Sequence, residues 1–115
     1  MLNDQDFFDV LSDETRRRIL HMIMKEGELC VCELYYALDI TQPKVSRHLA
    51  IMREMDLLSA RRDGTWIYYR LHPQLPYWAV KILEVMMDGV ANVPVYIHDA
   101  TRMSGMPNRP DKCCS

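Results

Sequence analysis

Four cysteines stand in two close pairs, Cys30-Val31-Cys32 and Cys113-Cys114, near opposite ends of the chain. Thiolates are nucleophiles and soft ligands, so each pair offers either metal or metalloid binding or reversible disulfide chemistry. On a regular helix, residues two apart do not face each other. If Cys30 and Cys32 both lay inside one helix, an ion shared between them would force that turn to unwind. Zinc prefers four N/S ligands with a C-x₂₋₄-C spacing, which C-V-C lacks. A dithiol oxidoreductase would show C-x-x-C near a βαβ pattern, and neither is present, so the chain is not expected to be an enzyme. Free cysteine is also a common small core residue, so thiols alone decide nothing. The surrounding elements must.

The chain has 115 residues, 26% charged and 49% hydrophobic, which fits one globular domain with a small core. No apolar run approaches the roughly 20 residues of a membrane span, so no membrane partner is expected. The start, M-L-N-D-Q-D, lacks a basic and an apolar leader region. A cytoplasmic location follows as the expectation, with thiols reduced rather than paired as a disulfide framework. The net charge is only −2, but residues 41–72 carry six Lys/Arg against three Asp/Glu, leaving eight against thirteen elsewhere. A basic segment on an acidic body suits a local phosphate-binding face.

Phe7, Phe8 and Leu11 mark a short first helix ending near Ser12. A second helix runs from a cap at Ser12 or Asp13 to Gly27, with Ile19, Leu20, Ile23 and Met24 inward. The cysteine stretch opens a third helix, with Leu34, Ala37 and Leu38 inward. Thr41 caps a fourth, where Pro43 is tolerated in the first turn and Val45, Leu49 and Met52 form the buried stripe. Opposite that stripe lies Arg47, flanked by Lys44 and Ser46, with Gln42 and His48 nearer the edges. Two helices joined by a short turn, the second basic on its outer side, make a helix-turn-helix. Asp63-Gly64 then signals a hairpin whose Arg61, Arg62 and Arg70 suit phosphate contact, which is a wing. Residues 75–88 form a last helix apolar nearly all round, so it needs a second buried side. The predicted fold is mainly α with a small β-hairpin (α+β): a winged helix-turn-helix, dimeric through Phe7, Phe8, Leu11, Trp78, Ile82, Val85 and Met86. Residues 1–91 are expected to form that domain, and 92–115 a flexible tail carrying Cys113 and Cys114. In the tail, His98 and Asp99 are expected to form a solvated pair.

The stretches L-S-D-E-T-R-R-R-I-L, E-L-C-V-C-E-L, T-Q-P-K-V-S-R-H-L and R-R-D-G-T-W-I-Y-Y-R-L resemble, in order, the ArsR-type arsenical-resistance repressors, which are winged helix-turn-helix metalloregulators. The resemblance implies a homodimer on double-stranded operator DNA that is released when arsenite or antimonite, As(III) or Sb(III), binds its thiolates. It implies DNA contacts from Gln42, Lys44, Ser46, Arg47 and His48, and from Arg61 and Arg62 of the wing. One departure stands out. Where the best-known members place a third cysteine, this chain has Tyr35. Trivalent arsenic prefers three sulfurs, so the expected ligand set is Cys30 and Cys32 with one or both of Cys113 and Cys114. A flexible tail of about twenty residues reaches well beyond a small domain's radius of about 13 Å. A helix N-terminus near Cys30 and Cys32 is expected to lower their pKa, with Glu28 and Glu33 opposing. The alternatives are a redox-responsive or zinc-responsive repressor and, remotely, a dithiol oxidoreductase.

Overall fold

The computed structural model describes residues 2–109. Helix α1 (Asp4–Leu11) starts at Asn3, whose side chain accepts from the Asp6 N–H. Helix α2 (Glu14–Glu26) starts at Asp13, which accepts from the Arg16 N–H, and stops at Gly27, where φ is 90°. That left-handed angle is one only glycine takes without steric cost. A two-residue strand, β1 (Leu29–Cys30), leads directly into α3 (Val31–Leu38). Asp39 in the left-handed conformation ends α3, and α4 (Gln42–Glu54) follows from Thr41. Strands β2 (Leu58–Asp63) and β3 (Trp66–Leu71) form the hairpin. Helices α5 (Tyr77–Gly89) and α6 (Pro94–Ser104) complete the described chain.

Phe7, Ile19, Leu20, Ile23, Leu34, Leu38, Val45, Leu49 and Met52 are fully buried in one core under the helix-turn-helix. Each such side chain stabilises the fold by roughly 1.5–3 kcal/mol. Val45, Leu49 and Met52 therefore fix the rotation of α4 and turn its opposite side outward. The sheet order is β1-β3-β2, all antiparallel, with Cys30 opposite Tyr68. Asp63 pairs with Trp66, so the two-residue loop is Gly64-Thr65. Asp63 thus ends a strand instead of sharing the turn, and Gly64, at φ 64°, supplies the positive angle.

Three expectations are corrected here. The segment after residue 91 is not a flexible tail throughout: α6 packs against α2 and α3, burying Tyr96, Asp99 and Met103. Pro94 opens it at a position where no helical N–H is lost, and Gly105 follows its end. Tyr96, Asp99, Ala100 and Met103 recur at helical spacing, a signal hidden between prolines. His98 is exposed, but Asp99 is fully buried and ion-paired, so the two do not form a solvated pair.

Phe7 is the third correction. It is fully buried within the protomer, so it is core and not interface. Its ring stands edge-on to Phe8 and Trp78, at centroid distances of 5.4 and 5.2 Å, and so joins α1 to α5. Phe8, Trp78 and Val85 remain exposed, while Leu11, Ile82 and Met86 are partly buried.

Candidate functional site

Cys30 is the N-cap of α3 and the last residue of β1, with an extended backbone (φ −87°, ψ 167°). It lies outside the helix that Cys32 lies inside. The strand-to-helix bend therefore brings their sulfurs together at 2.6 Å, and the expected conflict of facing directions does not arise. Two sulfurs in contact are close enough to be offered to one ion. Cys30 is buried and Cys32 half-buried. Burial, followed by the contact with Cys32, pushes the Cys30 thiol well above its ordinary pKa. The expected lowering by the helix terminus is outweighed, and Cys30 holds its proton at neutral pH.

Glu33 organises this junction. One carboxylate oxygen accepts from the Cys30 N–H at 3.0 Å, which closes a capping box on the first turn of α3. The other accepts from Arg109 Nε at 2.7 Å, and Arg109 Nη2 donates to Glu26 at 3.1 Å. Glu33 is only 2% exposed, so its charge is compensated almost wholly by these partners. No local pattern in the sequence points to Arg109. Cys113 and Cys114 lie outside the described residues. Among the described residues, no three His, Cys, Asp or Glu side chains cluster as a metal site. Cys30 and Cys32 are two soft donors in contact, the donor type that suits a soft ion.

The opposite end of α3 is held differently. Arg18 donates to both Asp99 oxygens, at 2.9 and 2.8 Å, and to the Leu38 carbonyl at 2.7 Å. Arg102 donates to the Ala37 carbonyl at 2.7 Å and to Asp99 at 3.1 Å. Two arginines thereby satisfy carbonyls that a helix C-terminus leaves unpaired. The run Arg16-Arg17-Arg18 is structural. Arg16 caps Asp9 and Val10 carbonyls, and Arg17 caps that of Leu11.

On α4, Gln42, Lys44 and Arg47 are exposed and Ser46 is half-buried, with Gln42 Nε2 donating to Ser46 Oγ at 2.8 Å. His48 is only 6% exposed and faces inward, 3.4 Å from Arg16 Nη1 and 3.9 Å from Asp13. It is thereby removed from the expected DNA-contacting set. Its position three residues after Val45 puts it near the buried stripe, and the core takes it. On the wing, Arg62 and Arg70 are exposed. Arg61 is committed to a two-pronged pair with Glu28 (2.9 and 2.7 Å) and lies 4.6 Å over the Tyr68 ring. A soft-ligand junction thus sits against the wing twice, through the Cys30–Tyr68 strand pair and through Glu28–Arg61.

A concavity of about 520 Å³ lies between α2, α5 and α6, away from the thiols. No helix among the described residues is long and apolar enough to cross a membrane.

The profile described as "Bacterial regulatory protein, arsR family" matches residues 13–60. The chain is 50% identical to one arsenic resistance transcriptional regulator of Pseudomonas putida, over 90% of this chain and 79% of that protein. It is 46% identical to a second such regulator of the same organism, over 99% of this chain and all of that protein. Among solved structures, an antimony-specific transcriptional repressor, AntR, superposes with a TM-score of 0.64 at 30% identity, covering 76% of this chain and 77% of that one.

Proposed function

The chain belongs to the ArsR family of bacterial regulatory proteins, a winged helix-turn-helix fold, and from that premise we propose that it is a metalloid-responsive transcriptional repressor of the cytoplasm. In this reading a homodimer binds operator DNA, and arsenite or antimonite on cysteine thiolates releases it. The observation that carries the reading is the convergence of Cys30 and Cys32 at a bend hydrogen-bonded to the wing. Gln42, Lys44, Ser46 and Arg47 face the major groove; arginine suits guanine, glutamine suits adenine, and the others hold phosphates. Arg62 contacts the backbone from the wing, and Arg61 joins it only as far as Glu28 releases it. The α1–α5 seam, with Phe8, Leu11, Trp78, Ile82, Val85 and Met86, meets its copy in the dimer.

Arsenite enters as the neutral trihydroxide. Each As–O bond is exchanged for an As–S bond, and each oxygen leaves as water with the thiol's proton, so no electrons are transferred. Cys30 and Cys32 supply two sulfurs, and Cys113 or Cys114 the third. Movement of Cys30 passes along β1 to β3, and through Glu28 to Arg61, so the wing and α3 shift together without α3 unwinding. Inducer and operator are then negatively and reciprocally coupled. A thousandfold release needs about 4 kcal/mol of differential binding.

The test is fluorescence anisotropy on operator DNA at fixed salt, titrated with arsenite. The parent should let go, while Cys30→Ser, Cys32→Ser and the Cys113→Ser/Cys114→Ser variant should bind but fail to respond. A parent indifferent to arsenite would sink the reading. The sulfur contact also suits a thiol–disulfide switch, so release by diamide in place of arsenite would establish that alternative.

A further inference from the structure

One arginine of the basic wing is already claimed by the body of the protein. Glu28, in the connection between α2 and β1, accepts from Arg61 Nε at 2.9 Å and from Arg61 Nη2 at 2.7 Å. A second carboxylate, that of Asp63, lies 3.9 Å from Arg61 Nη1. The Tyr68 ring covers one face of the guanidinium, with its centroid 4.6 Å from the central carbon. Arg61, Tyr68 and Cys30 form one row across β2, β3 and β1. Arg62 follows on β2, exposed and directed to the other face of the hairpin.

We propose that Glu28 is an autoinhibitory counterion: it holds Arg61 off the DNA backbone, so that the wing grips phosphate less tightly than its basic residues allow. This rests on the operator-binding half of the proposed function and does not depend on the inducer.

Local charge gives the direction of the effect. One positive charge stands here against two negative ones, so a phosphate approaching the closed pair meets net repulsion. The guanidinium fork matches carboxylate and phosphate alike, so the two compete for the same donors. The Arg61 side chain is 49% exposed and that of Glu28 26%, so exchange between them needs no unfolding. The same exposure keeps the pair in the range of surface ion pairs, and the effect of breaking it is correspondingly modest.

The experiment is anisotropy of the full chain on operator DNA and on an unrelated duplex, each across a series of salt concentrations. Glu28→Gln should tighten binding about two- to fivefold. Glu28→Asp, which keeps the charge but loses reach, should fall between it and the parent. The gain should be equal on both duplexes, because a phosphate contact carries no sequence information. The slope of log affinity against log salt should steepen by up to about one, the count for one added phosphate contact. Arg61→Ala alone should cost less than about twofold, since the pair already holds that side chain back. In the Arg61→Ala background, Glu28→Gln should gain nothing.

Weaker or unchanged binding by Glu28→Gln, with an unchanged urea midpoint, would overturn the inference and make the pair a support for Arg61 on DNA. A gain that persists without Arg61 would overturn it as well, because the lost charge would then act on the DNA at large. A gain confined to the operator would exclude competition for phosphate. A parent that binds neither duplex would instead strike at the operator-binding reading itself.

Discussion

At its C-terminal end, α3 gives the Ala37 and Leu38 carbonyls to Arg102 and Arg18, which share a fully buried Asp99. At its N-terminal end it offers two thiols in contact and one carboxylate, Glu33, divided between a backbone N–H and an arginine four residues short of the tail cysteines. The first end borders the turn into α4 and is built from charges that cannot leave one another without a large cost. The second end holds two sulfurs in contact that can exchange partners. Helix α3 is thus anchored at the end beside α4 and held by exchangeable contacts at the other. Under the proposed function, ligand chemistry at Cys30 would reach the wing while the anchored end keeps the domain folded.

The most severe way to break this contrast is to remove the fixed end. Asp99→Ala leaves Arg18 buried with its charge uncompensated, and such a loss costs about 3–5 kcal/mol. Urea denaturation should show that drop in midpoint. Operator binding should weaken with the folded fraction, while any arsenite response of the remaining folded protein persists. Response lost at full stability would instead place the sensing chemistry at the C-terminal end.

A smaller change sharpens the contrast from the other side. Glu33→Gln keeps an acceptor for the Cys30 N–H but removes the charge that holds Arg109. Losing a charge-assisted hydrogen bond at this partly buried site should lower stability by about 1–2 kcal/mol. Arg109→Ala should lower stability by a similar amount, and the two changes combined should be less than additive because they break one contact. Full additivity would show that Glu33 acts through the cap alone.

The contrast also separates what the sequence made legible from what it concealed. The helix-turn-helix and wing were readable because their signals are local: the cap at Thr41, the spacing of Val45, Leu49 and Met52, and the glycine of the hairpin. The exposed side of α4 followed by subtraction, with His48 the exception because it borders the buried stripe. The convergence of Cys30 and Cys32 was concealed because it depends on where β1 ends, and β1 exists only through its pairing with β3, forty residues away. Asp99 and Arg109 were concealed for the same reason. Their partners lie 81 and 76 residues distant, and a carboxylate or guanidinium in a proline-bounded segment looks solvated until the fold supplies its counterion.

The mildest probe is pH, and it acts on the seating of both α4 and α6. His21 is 7% exposed, edge-on to Tyr96 of α6, and its Nδ1 has no hydrogen-bond partner among the described residues. Burial, reinforced by Lys25 and opposed by Asp99, holds its pKa below the ordinary value. Burial likewise lowers His48, with Asp13 opposing and Arg16 adding to the effect. Above about pH 6.5 both imidazoles are neutral folded or unfolded, and neither costs stability. As pH falls below that value, the unfolded chain takes up protons first, so stability declines until the folded-state values are passed. The slope is at most about 1.4 kcal/mol per pH unit for each histidine. Urea midpoints between about pH 6.5 and 5 should therefore fall, and His21→Phe should remove its share by placing an apolar ring where the unpaired nitrogen now sits. An unchanged slope in that variant would show that His21 is not protonated on unfolding in this range, and would leave the loss to His48 and the carboxylates.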